Sequence, residues 1–496
     1  MVDVELSGKR IGTAVEYHAV FIDAEEDTSE RSEKYTYSYW SYLPDLILEK
    51  VFSYLSMRER YYASMVCRTW YRAFHLPYVW NTFVLDDSSL TRRKFNYYYG
   101  WQYVLDHMRT QMCITNVGHN FRKLVFGPMM NFFNLYEFMN MLSYFIERPQ
   151  EQLPDIGNHI HTLRFIFPCN MAVREESERA RIFGTGGRLL DALKRLMGNL
   201  VKLRRLELID LMLEPREAQY LLDEVCHGCC LTLHTLTLIN TTKLQFQLLH
   251  AGVFLNLQVL MISPQNLGED LVQLLGYTKL RHLHIVQNRY TPGEVNIRPV
   301  PARVWRQCKR SNTNLAVHLE LEGARDRDIL WQDRAPVHSI LYDSRYIKMM
   351  SESVLTAIDL YRLDLRVYGH QGLPRFHMAK SFHERVDSLL LLLCRQCPYL
   401  HTLMVRERIS TATVLLLAHT ARNLQYLFVR RNAVILRCDW PQSPDWTHEF
   451  YQWLRSASRS YDATEKEVSQ ILGHTWYMLS DQQFKLTHIN LHYRPF

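Results

Sequence analysis

One short apolar pattern recurs over most of the sequence. The pattern reads apolar-x-x-apolar-x-apolar, and its last two apolar positions alternate as in a strand that buries one face. The twelve copies are Phe121-Leu124-Phe126, Ile160-Leu163-Phe165, Leu203-Leu206-Leu208, Leu233-Leu236-Leu238, Leu257-Leu260-Ile262, Leu280-Leu283-Ile285, Ala316-Leu319-Leu321, Val337-Ile340-Tyr342, Leu360-Leu363-Leu365, Leu400-Leu403-Val405, Leu424-Leu427-Val429 and Leu486-Ile489-Leu491. This recurrence predicts a stack of similar units.

The spacing of the copies indicates leucine-rich repeats. Central residues from Leu206 to Leu427 follow one another at intervals of 21 to 40 residues, clustering where such repeats cluster. Intervening segments such as EAQYLLDEVCHG and VDSLLLLLCRQC have helical propensity. We therefore predict an α/β fold, an irregular leucine-rich-repeat-like αβ solenoid with parallel strands on the open face and helices outside. It is irregular because the asparagine or cysteine usual after each strand is mostly missing.

Composition narrows the functional classes. The net charge of +7 on a chain of 59.0 kDa is too dilute to indicate a nucleic-acid partner. We expect no membrane association, because no window supplies the roughly eighteen uncharged apolar residues of a spanning helix. The ten cysteines have no framework spacing, and the first residues lack a secretory signal. These features predict reduced thiols and a location in the cytoplasm, the nucleus or both.

Residues 42–74, YLPDLILEKVFSYLSMRERYYASMVCRTWYRAF, carry a dense set of apolar side chains at helical spacing. A first helix is expected to have Pro44 at its first position, followed by apolar residues at three- and four-residue intervals. A second helical stretch carries Val66, Trp70 and Phe74 and ends before Pro77. Three short helices of this size cannot bury all these side chains, so some need another surface.

This segment resembles the F-box motif in order and spacing. The resemblance covers residues 42 to about 82. Arg60 and Tyr61 depart from it, because the family usually has a more aliphatic pair there. It implies that the segment binds the Skp-family adaptor of a cullin–RING ubiquitin ligase and that the repeats hold an unknown protein substrate. The adaptor-binding residues implied are Leu43, Pro44, Ile47, Val51, Phe52, Leu55, Val66, Cys67, Trp70 and Trp80.

The expected organisation has four parts. Residues 1–38 form a flexible leader without a consistent apolar period, and residues 39–82 form the three-helix F-box. The solenoid follows over residues 83–460. Residues 461–496 are expected to close it as a C-terminal cap made of a helix ending near Trp476 and a strand from Phe484 to Tyr493.

Residues between the buried strand positions should face the open side of the solenoid. Toward the C-terminal end they are rich in the side chains common at protein interfaces. We expect substrate contacts there, with Arg406, Tyr426, Phe428 and Arg430 as the most exposed candidates. The alternative is that loops or the cap of the same chain cover this surface. In the copy at Leu363, the open-face residues expected are Arg362, Asp364 and Arg366.

The sequence carries only weak motifs for metal binding or catalysis. Cys394 and Cys397 have the spacing of half a zinc site, but no second pair lies at partner spacing, so buried thiols at helix-to-strand corners explain them better. The cluster Cys226-His227-Gly228-Cys229-Cys230 falls at a similar corner. His282 and His284 alternate on one strand face, so they could project together as ligands or form a pH-sensitive contact. With no nucleophile, metallopeptidase or kinase signature, we expect a non-catalytic chain without a metal or cofactor.

Three functional alternatives remain open at this point. The chain is expected to be the substrate-recognition subunit of an SCF-type (Skp–cullin–F-box) ligase. It could instead be an adaptor-bound scaffold whose partners are not degraded, or a repeat protein that binds nucleic acid. The apolar residues of the first segment could also serve only to dock it against the first solenoid strand.

Overall fold

The computed structural model describes residues 39–98, 100–129, 131–148, 155–167, 187–293, 297–325, 327–487 and 489. The predicted leader, residues 1–38, lies outside the described residues. From Tyr39 onward, the described chain begins with short helices and continues as one long parallel sheet with helices along it. This arrangement confirms the predicted α/β fold class with a leucine-rich-repeat-like solenoid.

Three short helices open the described chain. They are α1 (Asp45–Tyr54), α2 (Met57–Ser64) and α3 (Arg68–Phe74), flanked by 3-10 turns at Tyr39–Tyr42 and Pro77–Trp80. Pro44 is the residue before the first helical position, so the expectation that it opens the helix is wrong by one residue. Val66 lies between α2 and α3, and the predicted continuous helical stretch from Val66 to Phe74 is therefore wrong. A capping box between Ser56 and Glu59 begins α2.

Within the described residues, the strands form three sheets. In chain order they are β1 (Thr82–Leu85), β2 (Thr91–Asn96), β3 (Gly100–Leu105), β4 (Lys123–Phe126), β5 (Thr162–Ile166), β6 (Arg205–Ile209), β7 (Thr235–Ile239), β8 (Val259–Ile262), β9 (His282–Asn288), β10 (Ala316–Glu322), β11 (Val337–Asp343), β12 (Val367–Gln371), β13 (Thr402–Val405), β14 (Ile409–Ser410), β15 (Tyr426–Val429) and β16 (Val434–Ile435). Twelve form one parallel sheet in chain order, without β2, β3, β14 and β16. Strands β14 and β16 pair in parallel, and β2 and β3 form an antiparallel hairpin.

Helices on the side of the sheet that carries the repeated apolar residues connect most successive strands. Further helices follow β16, and the last of them lies on the open face. Together they are α4 (His107–Val117), α5 (Phe132–Glu147), α6 (Arg188–Asn199), α7 (Pro215–Cys229), α8 (Glu269–Leu275), α9 (Ala302–Ser311), α10 (Ser351–Tyr361), α11 (Asp387–Gln396), α12 (Thr411–Thr420), α13 (His448–Ala457), α14 (Tyr461–Leu472) and α15 (Asp481–Leu486). No helix in the described ranges combines the length and apolar character needed to cross a membrane.

Ten of the twelve predicted strand copies have the expected register. Their central residues, from Leu124 to Leu427, are buried between sheet and helices in a core that is continuous with the N-terminal helices. Residues directly opposite in neighbouring strands come from equivalent positions, as in the pairs Leu206–Leu236 and Leu403–Leu427. Strand β1, which buries Phe83 and Leu85, adds a first strand that the pattern did not predict.

The copy assigned to Leu360, Leu363 and Leu365 is wrong. Helix α10 continues to Tyr361, Leu363 is exposed, and the strand begins only at Val367. Tyr368 and His370 are the residues that face the core, and Tyr342 of β11 stacks on His370 with ring centres 4.4 Å apart. Aromatic residues occupy the leucine positions here, so the pattern was matched five residues too early. The expected open-face residues Arg362, Asp364 and Arg366 consequently precede the strand.

The predicted strand at the C-terminal end is also wrong within its described part. Residues Asp481–Leu486 form helix α15, which begins with a capping box between Ser480 and Gln483. Helix α14 ends at Leu472, before the predicted end near Trp476, because Gly473 adopts a left-handed conformation with φ of +77°. Leu491 and Tyr493 lie outside the described residues.

Candidate partner-binding surfaces

The predicted adaptor-binding residues divide into an inward and an outward group. Phe52 and Trp80 are buried in the core, together with Leu48, an apolar residue of the first helix that was not among the predicted adaptor-binding residues. The Phe52 and Trp70 rings meet edge to face at 5.8 Å, and Phe74 and Trp80 do so at 5.0 Å. The inward residues therefore hold the three helices together and dock them on the solenoid.

The contacts of Arg60 explain why an arginine replaces the aliphatic residue that the F-box pattern usually has at this position. Its side chain is buried, and its Nε donates at 3.0 Å to the carbonyl oxygens of both Phe52 and Leu55 at the end of α1. Its guanidinium lies 5.3 Å from the Trp80 ring centre. Burial lowers the pKa of Arg60. An arginine at this position satisfies the last carbonyl groups of α1, which an aliphatic residue cannot do.

The outward group leaves apolar surface exposed. Pro44, Ile47 and Val66 point to solvent, whereas Leu43, Val51, Leu55, Cys67 and Trp70 are half-buried. Leu46 of α1 is the most exposed of all, at 79%, although the pattern did not identify it. We define the outer F-box face as Leu46, Ile47, Tyr54, Met65 and Val66, whose exposed fractions run from 48% to 79%. Single exposed apolar residues are ordinary, but five in twenty-one residues are typical of an interaction site.

The C-terminal half of the open face of the solenoid is covered by the chain itself. Phe484 of α15 and Ile489 pack with the open-face residues Leu341, Val367 and Met404 in one buried cluster. Leu373, Phe428 and Leu479 border this cluster. We call Leu479, Phe484 and Ile489 the C-terminal cover. Self-coverage, the alternative considered from the sequence, therefore applies to this part of the open face.

Arg406 is the clearest departure among the predicted substrate residues. It has no exposed surface, so its expected exposure is wrong. Its guanidinium donates to the carbonyl oxygens of Ser344, Gln371 and Ile347, and its Nε lies 3.4 Å from a Glu407 carboxylate oxygen. The side chain thereby binds the turns that follow β11 and β12. This position is structural because its donors are already used within the chain.

Arg430 is also buried, and its expected exposure is wrong as well. Its Nε donates to Asp481 Oδ1 at 2.9 Å, which links β15 to the start of α15. Its Nη1 donates to the Arg406 carbonyl oxygen at 3.3 Å. Of the four predicted substrate residues, Tyr426 remains exposed and Phe428 is half-buried. Their role in substrate binding stays a prediction.

The middle of the open face carries a buried histidine cluster. His284 Nδ1 lies 2.5 Å from Glu320 Oε1, and the His284 and His318 rings stack at 4.5 Å. His318 Nδ1 lies 2.6 Å from Ser339 Oγ, and His282 is 3.4 Å from His318. Burial, together with the neighbouring histidines, holds the pKa of His318 well below its usual range. The cluster is therefore a packed polar layer across β9, β10 and β11.

Cys397 and Cys230 lie at helix-to-strand corners, where buried thiols were predicted, although Cys230 is only half-buried. Cys397 follows α11 and Cys230 follows α7, and Cys394 and Cys397 are buried in the core. Burial raises the pKa of the Cys397 thiol to about 12, so the thiol is protonated at neutral pH. Among the residues that the structure describes, no three His, Cys, Asp or Glu side chains are grouped to hold a metal.

Comparison with known proteins finds a family match in the N-terminal helical segment. A family model described as F-box-like matches residues 40–86. F-box/LRR-repeat protein 21 of Bos taurus is 35% identical over 57 residues, which are 12% of this chain and 13% of that protein. The match thus covers 13% of the length of the curated relative. The chain contains an F-box-like segment, and the resemblance seen in the sequence is confirmed.

The solenoid has a more distant structural likeness. A chain from the structure titled "Crystal structure of TLR13-ssRNA13 complex" is 12% identical, covers 64% of this chain and 50% of its own length, and gives a TM-score of 0.29. A likeness this low carries no argument. The leucine-rich-repeat-like description rests on the strand order and register given above.

Proposed function

We propose that this chain is the substrate-recognition subunit of an SCF-type ubiquitin ligase. Its F-box-like segment binds the Skp-family adaptor, and its solenoid holds the protein that is ubiquitinated. The chain itself does no chemistry in this role. It brings a substrate lysine close to a charged conjugating enzyme, which converts a bimolecular encounter into a local one.

The outer F-box face is the observation that carries the proposal. Helix α1 buries Leu48 and Phe52 on one side and leaves Leu46, Ile47 and Tyr54 exposed on the other. If docking on the solenoid were the whole purpose of these helices, the outward side would be expected to be polar. An adaptor that covers this side removes apolar surface from water without disturbing the inward group.

Affinity for the adaptor tests the first half of the proposal. The full chain and a purified Skp-family adaptor are combined by biolayer interferometry, and a triple variant carries Leu46→Asp, Ile47→Asp and Val66→Asp. We expect the variant to lose measurable binding, because each change places a charge inside the interface. The matched control, Leu231→Asp with Leu255→Asp and Tyr277→Asp, alters exposed residues of the solenoid. Absence of binding by the unaltered chain would remove the proposal.

Substrate recognition is tested separately from adaptor binding. Proteins that co-purify with the chain are incubated with adaptor, cullin, RING subunit, charged conjugating enzyme and ubiquitin. Ubiquitin transfer to a bound protein, abolished by the outer-face triple variant, supports a substrate receptor. Stable partners that acquire no ubiquitin would favour the scaffold alternative.

The surface for substrate is proposed to include Tyr426 and Phe428. Tyr426 keeps half its side chain exposed, and its ring stacks parallel to Phe428 at 6.4 Å. Arg164 and Arg205 are half-buried on the other part of the open face and form ion pairs with buried Glu207 at 3.4 and 3.0 Å.

We also propose that the complex acts in the cytoplasm, the nucleus or both, in line with the reduced state expected for the cysteines.

A further inference from the structure

A small hairpin outside the main sheet exposes an aromatic surface. Strands β2 and β3 pair with each other and do not join the twelve-stranded sheet. On one side of the hairpin, Arg93 lies opposite Tyr103 and Phe95 lies opposite Trp101. The side chains of Phe95, Trp101 and Tyr103 are exposed by 58%, 65% and 50%. An isolated two-stranded hairpin is only marginally stable in water, so a covering surface would stabilise it.

The four side chains, Arg93, Phe95, Trp101 and Tyr103, are here called the aromatic face. The Phe95 and Trp101 rings meet edge to face at 5.4 Å. The Arg93 guanidinium lies 5.6 Å from the Trp101 ring centre and 5.9 Å from that of Tyr103. Such cation–π and edge-to-face contacts give the surface a defined shape before any partner arrives.

Hydrogen bonds fix the base of the hairpin to α5. The backbone N–H of Leu105 donates to Asn134 Oδ1 at 2.8 Å. The side-chain amides of Asn131 and Asn134 donate to the Tyr103 carbonyl oxygen at 3.1 and 3.0 Å. Asn134 is fully buried, so its position is set by the core. The aromatic face therefore has a fixed direction relative to the solenoid.

The aromatic face adjoins the F-box-like segment. Strand β1 connects the two, because the turn Pro77–Trp80 precedes it and the hairpin follows it. Arg58 of α2 donates to the exposed Tyr62 hydroxyl at 3.1 Å, a bond that raises the pKa of Arg58. The Tyr103 hydroxyl is near enough to add a smaller effect in the same direction. Arg58 and Tyr103 are therefore within electrostatic range of each other, which puts the start of α2 near the hairpin.

The charges describe the partner that would fit. Arg93 lies on the aromatic face, and residues 91–105 contain no acidic side chain. Arg58 adds a further cation beside Tyr103. Aromatic residues and arginine are the side chains that most often dominate binding at protein interfaces. The complementary surface is thus an apolar strip with acidic residues along its edge.

Single-stranded nucleic acid fits the same surface less well. Stacking of bases requires free ring faces and cations that follow the strand. Here Arg93 already lies over Trp101 and Tyr103, and Phe95 contacts the edge of Trp101. Arg92 and Lys94 belong to the opposite side of the hairpin, by the alternation of the strand. A protein surface is the occupant that the geometry favours.

We propose that the aromatic face is a second contact with the Skp-family adaptor, extending the interface of the outer F-box face. This inference rests on the proposed function, since it names a further part of the same contact. The adaptor would cover Phe95, Trp101 and Tyr103 and place acidic residues beside Arg58 and Arg93.

The test measures adaptor affinity for the full chain with the hairpin altered. Phe95→Thr, Trp101→Thr and Tyr103→Thr remove the aromatic rings and keep residues that favour strands. We expect the dissociation constant to rise by about 10- to 100-fold, mainly through faster dissociation. The matched control, Tyr220→Thr with Tyr277→Thr and Tyr399→Thr, removes exposed aromatic rings from the solenoid and should leave the affinity unchanged.

A charge reversal provides a second test that does not depend on the fold of the triple variant. Arg93→Glu should slow association and reduce its dependence on salt, because one favourable charge pair becomes unfavourable. Both variants are checked by near-ultraviolet circular dichroism. An unchanged dissociation constant for Arg93→Glu and for a folded triple variant would overturn the inference.

The outcomes separate this inference from the proposed function. If the outer-face triple variant loses the adaptor while both hairpin variants keep full affinity, the function stands and the inference fails. If the unaltered chain does not bind the adaptor, both fail. If the hairpin variants lose binding to a poly-uridine oligonucleotide and keep their adaptor affinity, the hairpin binds nucleic acid and the inference is wrong.

Discussion

The Ile489 side chain packs against the backbone of Gly369 at the centre of strand β12. A Cβ atom built on Gly369 would lie 2.8 Å from Ile489 Cδ1 and 3.1 Å from Met404 Cβ. A side chain at this position would therefore overlap the C-terminal cover. The glycine that makes room for Ile489 thus decides whether the cover can lie on the sheet.

Gly369→Leu is expected to displace the C-terminal cover. The leucine would occupy the space of Ile489, so helix α15 should lose its contact with Leu341 and Met404 and exchange its amide hydrogens faster. Hydrogen-exchange mass spectrometry of the peptide containing Asp481–Leu486 measures this. Ile489→Ala, which removes the packing without crowding the strand, should give a smaller increase. Equal protection in all three proteins would show that Ile489 does not hold the cover.

Trp80→Ala should destabilise the F-box-like helices. Trp80 is buried, donates its Nε1–H to the Phe74 carbonyl at 2.6 Å and lies beneath Arg60. Removing a buried tryptophan typically costs about 3 to 5 kcal/mol. Urea denaturation followed by tryptophan fluorescence measures the loss. Val66→Ala, at an exposed position, should change stability by less than about 0.5 kcal/mol. If Trp80→Ala also lowers the affinity for the adaptor, it therefore does so by unfolding the F-box-like helices.

The thiols of Cys394 and Cys397 should resist modification in the native chain. Both are buried, and burial raises their pKa above the ordinary range of a cysteine. Ellman's reagent should modify them only after unfolding in guanidinium, and elemental analysis of the purified chain should find no stoichiometric zinc. Replacing both by alanine should cost roughly 1 to 2 kcal/mol without loss of adaptor binding. Rapid labelling of both thiols under native conditions would contradict this.

Acidification from pH 6.5 to pH 4 should destabilise the folded chain through His338. Burial, with a further contribution from Arg366, lowers the pKa of His338 to about 4 from the usual 6.5. Its surroundings include Asp364 and Lys309, which form an ion pair at 2.8 Å. Between pH 6.5 and 4, the unfolded chain takes up a proton that the folded chain excludes, so stability falls as pH falls.

His338→Gln should reduce this loss, because glutamine does not titrate. Thermal unfolding of both proteins between pH 7.5 and 4.5 gives the comparison. His448→Gln, at an exposed position on α13, serves as the control. If the variant and the unaltered chain lose stability in parallel, His338 is protonated in the folded state and the assignment is wrong.

The sequence predicted the repeats well because their signal is periodic and repeated. Buried leucines such as Leu206 and Leu403 recur at fixed positions relative to the strand, and the sheet contains them in register. The pattern failed where another side chain took a core position, as Tyr368 and His370 do in β12. It failed again at Leu486, because the capping residue Ser480 starts a helix that an apolar spacing alone does not exclude.

The candidate surfaces were harder to predict than the fold. The helical period does not tell which apolar residues of a three-helix segment face inward, so buried Trp80 and exposed Val66 were grouped together. Leu46 was missed although it is the most exposed member of the outer F-box face. Arg406 was misplaced because its partners are carbonyl groups of turns far away in the chain. The hairpin at Thr91–Leu105 was missed because its aromatic side chains alternate on an exposed face.

The parallel sheet also determines the distance between its first strand, next to the F-box-like segment, and its last strand. Its twelve strands include eleven intervals of about 4.8 Å each, so β15 lies about 50 Å from β1 measured along the sheet. Under the proposed function, a substrate bound near Tyr426 would therefore lie the full length of the sheet from the F-box-like segment, and one bound near Arg205 about a quarter as far. If the proposed function holds, the number of strands between the two ends would limit which lysines of a substrate come within range.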